Sequence, residues 1–405
     1  MVEQGTHKPL VGGSNPPSAT NPFGHNRSRL MLMLSVLITN FELWPPSGTV
    51  TYVRDLALEL KRQGHVPIVF SSTAGDIADE LRAAAITVTS MARDVGGRPD
   101  VIHGHHFAPT LKALREWPSV PAIHVLHDYR SVKDKTPLHP HIYRHLGVSR
   151  VCVERLIMDG AQDERVELMP NFVDTVRYAP RGPLPVRPRR ALVFSNYAHS
   201  GTYLPAVQSA CAAAGLQLDI IGAGAGTGVA HPETLLNQYD IVFAVGKAAM
   251  EAMSVGAAVV LCDLGGAGPL VTADIFDELR PLNFGIQALR PPVTAERLTK
   301  EIYRYDARDA ERVRDLVRSQ AGLSGAVEAL VGVYKAAIAE HAAIRTPMPT
   351  GPVDRFTVVQ SLSLGLFWRW KSIPESRREP LKRVPGMPLA LRATRRIFTP
   401  PSDAV

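Results

Sequence analysis

The chain has 405 residues, 45% hydrophobic content and a formal net charge of +7, which leaves room for two domains of ordinary size and excludes a disordered or fibrous chain. Its three cysteines, Cys152, Cys211 and Cys262, have no metal-ligand spacing and fit a reducing cytosol better than a disulfide framework. No run approaches the ~20 apolar residues of a membrane span.

Residues 1–30 are rich in Pro, Gly, Asn and Ser, without periodicity, and read as disordered. Gly13-Ser14-Asn15-Pro16 can be encoded by the common T-arm sequence of a tRNA gene. The segment then reads as a translated tRNA gene upstream of a start at Met31 or Met33, the alternative being a native disordered tail. The apolar run Leu30 to Ile38 follows two arginines but lacks a small-x-small cleavage site, so it reads as a first strand, not a signal peptide.

A strand over Leu34 to Thr39 leads into the loop Pro45-Pro46-Ser47-Gly48-Thr49. A helix from about Thr49 to Gln63 follows, with Val50, Val53, Leu56 and Leu60 on one face and Gly64 as its stop. Gly48 allows a tight turn and a close ligand approach at the helix start. After strand Val66 to Phe70 comes Asp100-Val101-Ile102-His103-Gly104-His105-His106, a strand ending in a polar cluster. Three histidines this close invite a metal reading, but no HExxH pattern or acidic partner accompanies them, and no metal is assigned. Strand Pro121 to Leu126 delivers His127 to its C-terminal end, where open α/β sheets bind ligands.

Val166 to Asp174 gives a strand and the turn Pro170-Asn171-Phe172-Val173-Asp174, and Arg181 to Arg190 reads as a linker. A second α/β unit begins with strand Ala191 to Phe194. Gly222-Ala223-Gly224-Ala225-Gly226-Thr227-Gly228 departs from GxGxxG at Thr227 and reads as a loop, not a dinucleotide fingerprint. Ile241 to Val245 is a buried strand, Gly246-Lys247 a turn, and Ala248 to Val255 a helix. A second strand, Ala258 to Leu261, ends near Gly265-Gly266. The helix start, with Lys247 beside it, suits an anion. Glu251, one turn further in, suits ribose hydroxyls. Helices near Ala295 to Tyr305 and Gly325 to His341 follow.

From Arg355 onward ten Lys/Arg face three Asp/Glu, interleaved with Phe367, Trp368, Trp370 and Phe398. That mixture suits an anionic membrane surface more than nucleic acid; the alternative is a solvated or domain-wrapping tail.

Asp100-Val101-Ile102-His103, His127, Pro170-Asn171-Phe172-Val173-Asp174 and Glu251-Ala252-Met253-Ser254-Val255-Gly256 with its flanking strands together resemble glycosyltransferase family 4, in this order. The resemblance covers about Leu34 to Ile344. It implies an α/β GT-B fold of two Rossmann-like domains facing across a cleft: residues 31–180 for the acceptor and 190–345 for the donor. Residues 346–405 form the basic tail. It implies a retaining glycosyltransferase; the cysteine pattern and the basic tail add the expectation of a cytoplasmic protein, peripheral at the inner membrane face. The co-substrate is a nucleotide-diphosphate sugar, the acceptor a glycan or lipid-linked, and no cofactor is needed. His127 would position the sugar, and Gly48, Gly246, Lys247, Glu251, Gly265 and Gly266 would bind the donor. Three departures stand out. Phe243 occupies the place of the family's first Glu. Phe172 replaces a Gly. Ser195 to Thr202 lacks the Arg and Lys that clamp the diphosphate. The alternative is therefore a non-catalytic scaffold of polysaccharide assembly, and Lys247 is the substitute cation if the chain is an enzyme.

Overall fold

The computed structural model describes residues 33–44, 47–72, 75–229 and 231–344. Residues 1–30, Pro45-Pro46 of the first loop and the basic tail lie outside them.

The first sheet holds β1 (Ser35–Asn40), β2 (Val66–Ser71), β3 (Thr87–Thr89), β4 (Val101–His105), β5 (Ala122–Leu126), β6 (Ile142–Gly147) and β7 (Val166–Leu168). The strand order is β3-β2-β1-β4-β5-β6-β7, all parallel. Its helices are α1 (Gly48–Arg62), α2 (Asp76–Ala83), α3 (Phe107–Glu116) and α4 (Arg150–Met158). Helices cover both faces, so β4 and β5 are buried at every position. The order reverses between β1 and β4, which opens a ligand crevice beyond their C-terminal ends.

The second sheet holds β8 (Arg190–Phe194), β9 (Gln217–Ile221), β10 (Ile241–Ala244), β11 (Ala258–Asp263) and β12 (Gly266–Leu270), in the order β12-β11-β10-β8-β9. Only β12 runs antiparallel. The helices are α5 (Leu204–Ala213), α6 (Gly246–Val255), α7 (Phe276–Leu279), α8 (Ala295–Ile302), α9 (Ala307–Gln320) and α10 (Leu323–Ala343). The chain crosses between sheets twice, side by side. Val173 N–H donates to the Ala321 carbonyl, and Leu323 N–H donates to the Val173 carbonyl.

The second crossing matters for segmentation. The sequence reading counts residues up to 345 with the second domain, yet α10 packs Val327, Leu330, Val331 and Tyr334 into the core beneath the first sheet. Ion pairs from Glu340 to Arg144 and Arg165 fasten its far end there.

The sequence reading passed over β6 and α9. In β6, Arg144 and His145 interrupt the apolar run that marks a buried strand. In α9, Ala310, Val313 and Val317 make a stripe one residue wide among charges, and Asp306 caps the start by accepting from Arg308 and Asp309. The Gly265-Gly266 turn also opens into β12, where Gly and Pro269 are poor strand formers tolerated at an edge.

The glycine-rich loop after β9 serves packing. A Cβ on Gly222 would lie 1.9 Å from the Ser195 carbonyl oxygen, and one on Gly224 2.7 Å from that of Asn196. Only bare backbone lets this loop lie against the loop after β8. Gly222→Ala is expected to lower stability by about 3 kcal/mol in urea unfolding, because backbone must move. A loss below about 0.5 kcal/mol, the scale of a neutral surface change, would mean the loops part freely.

Candidate functional site

Helix α1 starts at Ser47, whose hydroxyl accepts from Val50 N–H at 3.4 Å. Gly48, Tyr52 and Asp55 follow at i, i+4 and i+7, so they share one face. A Cβ on Gly48 would meet nothing among the described residues within 4 Å. Asp55 is buried and pairs with Arg54 at 2.7 Å. Its other oxygen takes Lys247 Nζ, from α6 on the second sheet, at 2.9 Å. Glu251, one turn along α6, is 3.6 Å from the same ammonium. Two cations and two carboxylates thus close a buried quartet across the seam between the sheets.

Burial opposes every charge in that quartet, and the partners decide the outcome. Burial alone would weaken the Lys247 ammonium, yet Asp55 and Glu251 overcome it and hold its pKa above the ordinary lysine range. Burial opposes ionisation of Asp55, yet Lys247 and Arg54 hold its carboxyl below the usual range. For Glu251 burial wins and the pKa rises, despite Lys247.

The second half of the site is aromatic. His127, just past β5, is partly exposed. Its ring lies edge-on to Tyr52 with centroids 4.8 Å apart. Its Nε2 sits 2.8 Å from Nδ1 of His105, the last residue of β4. Tyr52 meets Phe172 on its other side at 4.4 Å. The Phe172 carbonyl accepts from Lys247 Nζ at 3.4 Å, and its ring lies 5.5 Å from that nitrogen. His127 from the first sheet and Lys247 with Glu251 from the second therefore converge through Tyr52 and Phe172. His127, His105 and His103 all have pKa values pushed down, chiefly by burial. Among the described residues no group of three or more His, Cys, Asp or Glu is arranged to hold a metal ion.

The predicted glycines divide into two sets. Gly246 has φ +60 and opens α6, but its N–H donates to the Phe284 carbonyl at 3.0 Å. The following first-turn amides have no intrahelical acceptor, as at any helix start. Gly265 and Gly266 form the β11–β12 turn. A Cβ on Gly265 would lie 1.8 Å from Ile286 Cδ1, and one on Gly266 (φ +138) 2.5 Å from the Arg290 carbonyl carbon. Their lack of side chains serves that packing. The cation-free loop from Ser195 to Thr202 is held by polar contacts, such as Ala223 N–H donating to Asn196 Oδ1 at 3.0 Å.

Sequence reasoning missed Tyr52, Arg54 and Asp55, and takes His105 only as one of three clustered histidines. A signal existed for Arg54 and Asp55: the pair falls between Val53 and Leu56, on the apolar side of the helix. The sequence sets Lys247 beside an anion at the start of α6; in the structure that anion is the Asp55 carboxylate of α1.

Residues 46–177 match the model of Glycosyltransferase Family 4. No curated protein sequence matches the chain. A glycosyltransferase from Rickettsia africae is 14% identical, with 76% of this chain and 99% of that one covered and a TM-score of 0.55. Anabaena HepE, crystallised in complex with UDP-glucose, is 15% identical, with 75% of this chain and 100% of that one covered and a TM-score of 0.53. The chain resembles glycosyltransferase family 4, and its fold is the two-sheet α/β GT-B arrangement.

Proposed function

We propose that the chain is a glycosyltransferase that takes a sugar from a nucleotide-diphosphate donor and passes it, with retention, to a glycan or lipid-linked acceptor. The observation that carries this reading is the convergence at one seam of His127, from a strand end of the first sheet, with the start of α6 and its Lys247 and Glu251. The fold shared with HepE, crystallised with UDP-glucose, supports the donor class. In this reading the leaving diphosphate is stabilised by α6 first-turn amides and by the Lys247 ammonium. Glu251 holds the ribose, His127 the sugar, and the bare backbone at Gly48 admits donor or acceptor. Lys247 reaches phosphate only by exchanging Asp55 for it, so donor binding and parting of α1 from α6 are coupled. The basic aromatic tail docks on an anionic membrane surface at the cytoplasmic face, where a lipid-linked acceptor is available.

A second reading is favoured by a specific observation. The only described lysine at the donor helix start is already paired, and the loop that should bear the clamp has no cation. A chain built so keeps the fold as a scaffold in polysaccharide assembly. Calorimetric titration with UDP and GDP separates the two. Saturable binding, with turnover of a nucleotide sugar giving a product of unchanged anomeric configuration, is the expected result. Absence of heat with either nucleotide, together with no turnover, leaves the scaffold.

A further inference from the structure

The contact between His105 and His127 sets more than the direction of a ring. The His105 backbone is pinned from both sides: its N–H donates to Thr39 Oγ1 at 3.1 Å, and its carbonyl accepts from Thr39 Oγ1 at 3.3 Å and from Thr110 Oγ1 at 3.4 Å. Its ring is fully buried between His103, with centroids 4.6 Å apart, and Tyr52, at 5.2 Å. Its Nδ1 meets His127 Nε2 at 2.8 Å, and the Nε2 of His105 has no hydrogen-bond partner among the described residues.

Two neutral imidazoles joined by one N–H···N bond have two arrangements. In the first, His105 Nδ1–H donates to His127 Nε2. His105 Nε2 is then a bare lone pair, and His127 carries its proton on Nδ1. In the second, His127 Nε2–H donates to His105 Nδ1, which forces the His105 proton onto Nε2. There it would be a buried N–H without an acceptor, the rarer kind of orphan. Burial keeps both rings neutral, so a doubly protonated His127 does not intervene. The first arrangement is the one the surroundings permit.

We infer that His105 is a positioning residue that locks His127 as its Nδ1–H tautomer, so that His127 meets a bound sugar oxygen as a hydrogen-bond donor and not as a proton acceptor. The consequence for sugar transfer rests on the transferase reading; the tautomer does not. His127 therefore orients and polarises, and the proton of the acceptor hydroxyl passes to an oxygen of the departing diphosphate, which suits a reaction driven by the leaving group.

The test is nitrogen NMR of the full chain labelled in its imidazoles, with His127 assigned by its absence in His127→Gln. The expected wild-type spectrum shows one-bond N–H coupling at His127 Nδ1 and a bare Nε2 at neutral pH. In His105→Leu the proton moves to Nε2, the tautomer free histidine prefers. In His105→Asn, whose amide N–H can still reach Nε2, it stays on Nδ1. A wild-type proton on Nε2 overturns the inference even if no variant folds. So does an Nδ1 proton retained in a folded His105→Leu. Nucleotide-sugar turnover is expected to fall at least about tenfold in His105→Leu and to recover in His105→Asn. The expected spectrum from a protein that turns over no nucleotide sugar supports the tautomer and overturns the transferase reading.

Discussion

Lys247→Ala is expected to lower stability by about 3–5 kcal/mol, far more than loss of an exposed lysine. The quartet of Arg54, Asp55, Lys247 and Glu251 is neutral as a set and sits out of water. Removing Lys247 leaves Arg54 on Asp55 but strands the Glu251 carboxylate without a cation. The double variant Lys247→Met with Glu251→Gln restores neutrality at similar volume and should recover at least half of the loss. Urea unfolding of both proteins checks this. A loss under about 1 kcal/mol in Lys247→Ala would show that the seam is wet and the pair screened. The result bears on ligand studies, because weakened nucleotide binding in Lys247→Ala would confound a lost phosphate contact with a disturbed seam. The neutral double variant is the cleaner control for Lys247, since it removes the ammonium without leaving an unpaired buried charge, although it removes the proposed ribose contact too.

The quartet also shows where sequence stops being informative. Each sheet was legible strand by strand at β1, β4, β5, β10 and β11, because burial on both faces leaves short apolar runs between Gly and polar turns. The α6 start was legible for the same reason, since Gly246 and Gly256 bracket a helix between two such runs. What is not legible is which side chains meet across the seam. Asp55 and Lys247 lie 192 positions apart, and no periodicity links them. Lys247 read as free because only α6 was in view. Phe172 read as a departure at a turn; in the folded chain it stacks on Tyr52 and caps the ammonium with its carbonyl. β6 and α9 failed for a local reason: charged residues within them broke the pattern that marks burial. Gly265 and Gly266 show the converse limit. A Gly-Gly pair tells that backbone comes close to something, and here that something is Ile286 and Arg290 of the same chain.

Unfolding by mild acid is the second large effect, and it follows from histidines held neutral. Burial pushes His103 and His106 down to about 3 and His145 to about 4. The native-state pKa lies below the ordinary 6.5, so below pH 6.5 the unfolded chain binds protons that the native chain refuses. Stability is therefore present above pH 6.5 and is lost as pH falls toward the native values. Each fully excluded proton is worth about 1.4 kcal/mol per pH unit, so the three histidines remove about 4 kcal/mol per unit. Asp134 works the other way. Burial first, then the Asp128 charge, raises it from 3.8 to about 7, so between those values the native state binds a proton that the unfolded state does not. That returns about 1.4 kcal/mol per unit on acidification. For these four groups the net slope is about 2–3 kcal/mol per unit, against a typical stability of about 5–15 kcal/mol, and His105, His124 and His127, which burial also holds well down, steepen it. Circular dichroism during urea titrations stepped from pH 7 to pH 5 should show that fall, beginning near pH 6.5. His103→Asn, in which the amide can keep the hydrogen bond that Nδ1 makes to Tyr334, should flatten the slope by about 1.4 kcal/mol per unit whatever it does to stability at neutral pH. A flat profile in the wild type would mean that these rings take up protons in the native state, and that water reaches the histidine cluster behind His127.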